Sequence, residues 1–410
     1  MNRHPYLQLL LAIVLLSLPL VACGASPAAT ATTAAAGEPY NIGFLVSVTG
    51  KAATLGEGQR NVAAMLQQQL DASGSIVGPT GVRHPVRILI QDTQGSSDTA
   101  VTLAKKLLSD DNVVALIGTS TSPETMAILP VVQEAKTPLI SLASSSAIVE
   151  PVAERVWVFK TAASNKHTAP LQVEYVKARG ITRVANIYVN NAYGEDGAKA
   201  IRDAAQAQGI EIVYEDTFED TDTDMTAQIV KIKASGAEAV LVTAINPAAA
   251  IFTKQARELG LTVPLVHNHG IGSPAFIDLA GAENAEGVVF PMSKIYAASA
   301  LPESDPQRAV LVRFVADYEA YAKQPPSSFA GHAWDALEIV TEALTRVPEG
   351  LSLEEQRSRL RDEIEATKGL VGIDGIFTLS PQDHVGLRVE DMVMMRINDG
   401  KWAYIPRDQW

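Results

Sequence analysis

"ALIGTSTSPETMAILPVVQEAKTPLIS", from Ala115 to Ser141, holds the unit from which the fold follows. A short apolar run, ALIG, gives way to a turn of small and hydroxyl-bearing residues. A helix opens near Pro123, and a second apolar run, PLIS, closes the stretch. The same alternation extends in both directions. "YNIGFLVSV", "VRILIQD", "RVANIYV", "IEIVYEDTF", "AEAVLVTA" and "VPLVHN" are short runs rich in Val, Ile and Leu, and amphipathic segments such as "SSDTAVTLAKKLLSDD" and "GEDGAKAIRDAAQAQG" lie between them. Near-continuous apolar strands alternating with helices predict an α/β protein with doubly wound parallel sheets covered on both faces. The alternation comes in two blocks, each with enough strands for its own open sheet. A mostly helical remainder follows, with strands expected at "GIFTL", "EDMVMMRIN" and "KWAYIP". It can return to cover both blocks, which places the natural ligand site in the cleft between them.

The start of the chain reads differently. Tyr6 to Ala22 is apolar and follows Arg3 and His4, the order of an export signal, and Ser17 and Pro19 interrupt a run already short for a membrane span. Leu20-Val21-Ala22-Cys23 resembles the processing box of bacterial lipoproteins, in which the cysteine is acylated and becomes the first residue. Residues 24–39 are Ala, Thr, Pro, Ser and Gly with almost no charge, a flexible tether. Cys23 is the only cysteine, so the sequence has neither a disulfide framework nor a cysteine metal site. A formal net charge of −13, or about −14 once Arg3 is removed, argues against nucleic acid or anionic lipid as partners. Membrane contact is expected through the lipid anchor alone.

Five landmarks occur in a telling order: "IGFLVSVTGKAATLGEGQRNVAAML", "IQDTQGSSDTAVTLAKKLL", the opening stretch, "NAYGEDGAKA" and "AGAENAEGVVFP". From Tyr40 to about Tyr404 the chain resembles the type I periplasmic binding proteins, specifically the leucine/isoleucine/valine-binding group that feeds ATP-driven importers. The resemblance implies a Venus flytrap of two lobes joined by three crossover segments. The first lobe would take residues 40–163 plus about 293–370, and the second 164–292 plus about 371–410. It also implies a monomer with no cofactor that binds a small carboxylate or amino acid and delivers it to membrane permease and ATPase subunits. A lipid-anchored sensory receptor of the same fold is the alternative role, and amide or aromatic acids are alternative ligands.

By position, the resemblance makes the first lobe a carboxylate grip. Ser122 would offer its hydroxyl and N–H at a helix N-terminus, Ala143 a carbonyl and Ser145 a hydroxyl. On the same basis Tyr193 falls in the second-lobe wall, and Leu55 stands where relatives carry an aromatic residue over the ligand. The departure concerns the ammonium group of an amino acid. His269 occupies the place of the expected acidic residue, and Ile245 the place of an expected tyrosine. A buried ammonium without a carboxylate costs several kcal/mol. Glu124 or Asp335 would have to lean in, or the ligand would lack the amine.

Other chemistries are poorly supported. "GEGQRN" has Asn61 where a dinucleotide fingerprint needs its third glycine, and no P-loop, G-x-S-x-G or H-E-x-x-H string occurs. His267 and His269 would share a side if extended, but no third metal ligand is near in sequence. Nothing in the pattern activates a nucleophile, so an enzyme is not expected.

Overall fold

The computed structural model describes residues 37–73 and 76–410. Cys23 and most of its tether lie outside the described residues. Among the described residues no helix is long and apolar enough to cross a membrane.

The first sheet has five strands. Its chain order is β1 (Tyr40–Val46), then β4 (Val86–Asp92), β5 (Ala115–Gly118), β6 (Leu139–Ser141) and β7 (Val158–Lys160), with a small hairpin of β2 (Ile76–Val77) and β3 (Arg83–His84) set apart. Its spatial order is β4-β1-β5-β6-β7, all parallel. Helices α1 (Ala53–Ser73), α2 (Ser97–Ser109) and α3 (Ser122–Glu134) are its crossovers.

The second sheet repeats the plan with β8 (Arg183–Val189), β9 (Glu211–Phe218), β10 (Ala239–Thr243), β11 (Leu265–His267) and β12 (Val289–Ser293). These are served by α4 (Asn165–Ala178), α5 (Ala192–Gln208), α6 (Thr226–Ser235), α7 (Ala248–Glu258) and the short α8 (Ala275–Ala280) and α9 (Ala282–Ala285). The parallel part runs β9-β8-β10-β11-β12, the same second-first-third-fourth-fifth order as the first sheet. Long helices α10 (Arg308–Ala322), α11 (Ser328–Leu344) and α12 (Leu353–Glu365) then return to the first sheet, where α11 lies along α1. A hairpin of β13 (Lys368–Val371) and β14 (Ile376–Thr378) follows. Finally β15 (Met392–Asn398) and β16 (Lys401–Ile405) extend the second sheet antiparallel beyond β12.

The strand composition explains the layering. All five residues of β10 and all four of β5 are buried, as strands covered on both faces must be. Two helix starts are pressed onto the strands before them. A Cβ on Gly56 of α1 would sit 2.1 Å from the Ser47 carbonyl oxygen, and one on Gly194 of α5 would sit 1.8 Å from that of Val189. Only glycine allows either approach. Hairpin residues 371–385 hold to the first group of elements. The amides of Ile373 and Asp374 donate to Asp335 on α11, and Lys160 N–H of β7 donates to the His384 carbonyl. The chain therefore rejoins the second sheet only at β15.

Because both sheets share one strand order, each has a switch point beside its first strand, where the crossover helices diverge to opposite faces. Ligands in such sheets sit beyond the carboxyl ends of the strands at that point.

Candidate functional site

A cavity of about 240 Å³ lies between the carboxyl ends of the two sheets. Six helices begin on it. Leu55 comes from the first turn of α1 and Ala52 from the tight turn leading into it, Ser96 and Ser97 from the start of α2, and Ser122 and Pro123 from α3. Asn191 and Tyr193 come from α5, Pro247 and Ala248 from α7, and Phe329 and His332 from α11. N-termini leave N–H groups without helical partners and carry the positive end of the dipole, so this cavity favours an anion.

The wall from the first sheet is largely satisfied by its own bonds. Ser120 Oγ donates to Gln59 Oε1 at 2.5 Å and accepts from Ser47 N–H at 2.9 Å. Thr121 Oγ1 donates to Glu124 at 2.6 Å, and Ser47 Oγ donates to the same carboxylate at 2.9 Å. Glu124 is thereby turned into the protein and does not line the cavity. Ser122 lines it and accepts from Ser145 N–H at 3.2 Å, which leaves its hydroxyl proton to give. Ser145 itself is buried behind the wall, its hydroxyl unpartnered, and Ser144 faces the cavity instead.

Beneath this wall lies a residue the motif reading missed. The Lys160 ammonium, at the end of β7, donates to the Ser144 carbonyl at 2.6 Å and reaches those of Ser145 and Ala143 at 3.3 and 3.5 Å. Burial pushes it down to about 7, partly opposed by Asp196. Ala143 does line the cavity, but its carbonyl already faces a cation. Its only sequence signal was a lone Lys closing the run "VWVFK".

The wall from the second sheet contains Tyr193, Ile245, Asn246, His269 and Gly270. The rings of Tyr193 and His269 meet edge to face, centroids 6.0 Å apart. A Cβ on Gly270 would lie 2.7 Å from Tyr193 Oη, so glycine there makes room for the phenol. Burial raises the Tyr193 hydroxyl far above its ordinary value. Burial, reinforced by His332, Lys160 and His167, holds His269 well below the imidazole range, and both groups are neutral at pH 7. His269 Nε2 lies 2.7 Å from Ser144 Oγ across the cleft, and its Nδ1 has no partner.

Two further contacts join the walls. Lys51 pairs with Asp220 at 2.6 Å, and Asp196 accepts from Ser146 N–H at 3.1 Å. Among the described residues Asp220 is the only carboxylate in the cavity lining, and Lys51 occupies it. Asp335 is no substitute. It is fully buried and accepts from the amides of Ile373 and Asp374 at 2.7 and 2.8 Å, and burial together with Asp374 holds it well above the carboxylate range. His332 lines the cavity floor with its Nδ1 on Asp374. Sequence reasoning could not find this pair because its members lie far apart in the chain.

Of the expected ligand-facing residues, Leu55, Ser122, Ala143, Tyr193, Ile245 and His269 line one cavity and Ser145 does not. His267 also parts from His269. The strand ends at His267, whose ring turns into the core, Nε2 at 2.9 Å from Thr253 Oγ1, while His269 begins a tight turn. Among the described residues no group of three or more His, Cys, Asp or Glu is placed to hold a metal.

Comparison with known proteins agrees with this architecture. Residues 39–401 match the periplasmic binding protein family. The chain is 21% identical to a leucine-, isoleucine-, valine-, threonine- and alanine-binding protein of Pseudomonas aeruginosa over 83% of this chain and 87% of that one. It is 26% identical to Leu/Ile/Val-binding protein homolog 8 of Brucella suis, covering 76% of each. Among solved structures, an extracellular ligand-binding receptor from Rhodopseudomonas palustris superposes with a TM-score of 0.83 at 29% identity, over 90% of this chain and 99% of that one. The chain belongs to the periplasmic binding protein family, whose members are exported solute-binding proteins and not enzymes.

Proposed function

We propose that this protein is the substrate-binding component of an ATP-driven importer, capturing a small carboxylate-bearing solute by closing two lobes upon it. The first lobe comprises the β1–β7 sheet with α10–α12 and the β13–β14 hairpin. The second comprises the β8–β12 sheet with β15 and β16, so the third crossover lies nearer 386–391 than 370. Ser122 and the N-terminus of α3 take the carboxylate, while Leu55 and Ile245 shape the space for the ligand's body. The observation that carries this reading is the charge of the cavity: six helix N-termini converge on it, and its one carboxylate is already paired.

The same observation narrows the ligand. An α-ammonium would find no free carboxylate, and the carbonyls near it are already bonded to Lys160. The preferred solutes are carboxylic acids in which the amine is absent or replaced by oxygen. A thermal-shift panel tests this by pairing leucine, isoleucine, valine and phenylalanine with their α-keto, α-hydroxy and desamino analogues. At a hundred times the dissociation constant a true ligand adds about 2.7 kcal/mol. The amine-free acids are expected to stabilise at least as well, and stabilisation by the amino acids alone contradicts the proposal.

We also propose that Cys23 is diacylated, since two chains give the stable anchoring that one does not. Cys23→Ser then releases the protein from membranes, and a serine variant that stays bound refutes the anchor.

A further inference from the structure

The second wall carries polar atoms that nothing in the protein satisfies. Asn246, in the turn between β10 and α7, is fully buried and lines the cavity, and neither its Oδ1 nor its Nδ2 has a hydrogen-bond partner. Leaving one such group unpaired is costly, and an amide has two. Most buried side-chain polar atoms in folded proteins do find partners, so an orphaned pair at a ligand cavity points to the ligand. His269 Nδ1, on the same wall, is also unpartnered. The first wall contrasts with this, because its hydroxyls at Ser120 and Thr121 are committed within the protein.

We propose that Asn246 recognises an uncharged amide-type group, a carboxamide or ureide, at the end of the solute opposite its carboxylate. This rests on the carboxylate reading above for the ligand's orientation. An asparagine presents a donor and an acceptor side by side in one plane, and an amide answers both. A ketone answers one, and an isopropyl group neither. Exchanging the nitrogen and oxygen of Asn246 leaves the match intact, since the ligand's amide can turn over as well. A charged far end fits worse. A cation would meet only Asp220, which Lys51 holds, and a second anion would meet no cation on this wall.

Succinamate, levulinate and isocaproate test the proposal. They share one carboxylate and one chain, and end in a carboxamide, a methyl ketone and an isopropyl group of nearly equal size. Calorimetric titration of this trio, and of the trio one carbon longer, is expected to rank amide over ketone over isopropyl, the amide leading by about tenfold or more. Asn246→Leu should level the ranking without lowering the melting temperature of the unliganded protein, because it removes an unsatisfied amide. Asn246→Asp keeps the shape, loses the donor and should weaken the amide about tenfold. Amides binding no better than ketones in both series overturn the proposal and assign Asn246 to a bound water. An amide preference that survives Asn246→Leu also overturns it. The methyl ester of succinamate separates the two readings: an ester that binds as tightly as the acid defeats the carboxylate assignment while leaving that of Asn246 standing.

Discussion

The two walls of the cleft are built on the same strand order and the same glycine-pressed first helix, yet their chemistry has diverged. The wall from the first sheet presents serines whose hydrogen bonds are mostly closed internally, backed by a buried lysine. The wall from the second sheet presents a neutral tyrosine beside an asparagine and a histidine with atoms left unpaired. Under the proposed function, equivalent backbones divide recognition: the first wall takes the carboxylate at the N-terminus of α3, and the second tests hydrogen-bonding pattern after closure. Preformed dipoles cost no reorganisation when the anion arrives, whereas unpaired neutral groups are costly until the right partner is enclosed.

Placing an anion on the charge-reading wall should have the largest effect. Ser122→Asp sets a carboxylate where the ligand's own carboxylate is proposed to lie. Two such charges about 4 Å apart repel by roughly 4 kcal/mol near a protein surface, which corresponds to about a thousandfold loss in affinity. The fold should not suffer, because an acidic residue in a first helical turn is itself favourable by about 0.3–1 kcal/mol. Calorimetry and a melting curve on the same sample check both halves, and unchanged affinity would remove Ser122 from the site.

Lys160 gives an intermediate effect that is read in pH. Its folded value is pushed down to about 7 from an ordinary 10.5, so between these limits the unfolded chain binds the extra proton. Stability therefore rises with pH across that window, by up to about 1.4 kcal/mol per unit, and the contribution is flat on either side. Denaturant titrations of the wild type and Lys160→Met should differ by this slope. Parallel profiles would mean that Lys160 is solvated and does not underlie the first wall.

The smallest effect is expected at the rim. The Lys51–Asp220 pair is partly exposed, and such pairs contribute about 0.2–1 kcal/mol. Lys51→Ala should weaken binding no more than about fivefold, and less at high salt. A larger loss would make Lys51 a direct ligand of the solute's carboxylate and shift the charge-reading role away from α3.

Much of this organisation was legible in the sequence because parallel strands covered on both faces leave near-continuous apolar runs, as in "VVALIG" and "AEAVLVTA". Ser122, Tyr193 and Ile245 were legible as cleft residues only through the family resemblance, which assigns those positions; the residues themselves, a helix-capping serine, a helix-start tyrosine and a loop isoleucine, carry ordinary structural readings. The exchange of Ser145 for Ser144 was not. Three consecutive serines in a turn carry no periodicity, and Lys160, which grips the carbonyls of two of them, is distant enough in sequence to give no local sign of the turn's geometry. His384, more than two hundred residues on, pairs with β7, which ends at Lys160, a contact no local pattern announces. Asn246 was hidden for another reason: an asparagine before a proline reads as an ordinary turn, and only its burial without partners marks it.

The division of labour between the walls is tested most directly by a crystal structure of the closed protein with its co-purified or panel-selected solute in place. The account predicts a carboxylate within hydrogen-bonding distance of Ser122 and the first amides of α3, with the solute's uncharged end against Asn246 and Tyr193. A solute whose carboxylate lies against the second wall, or whose ammonium is held by Asp220 released from Lys51, would contradict it.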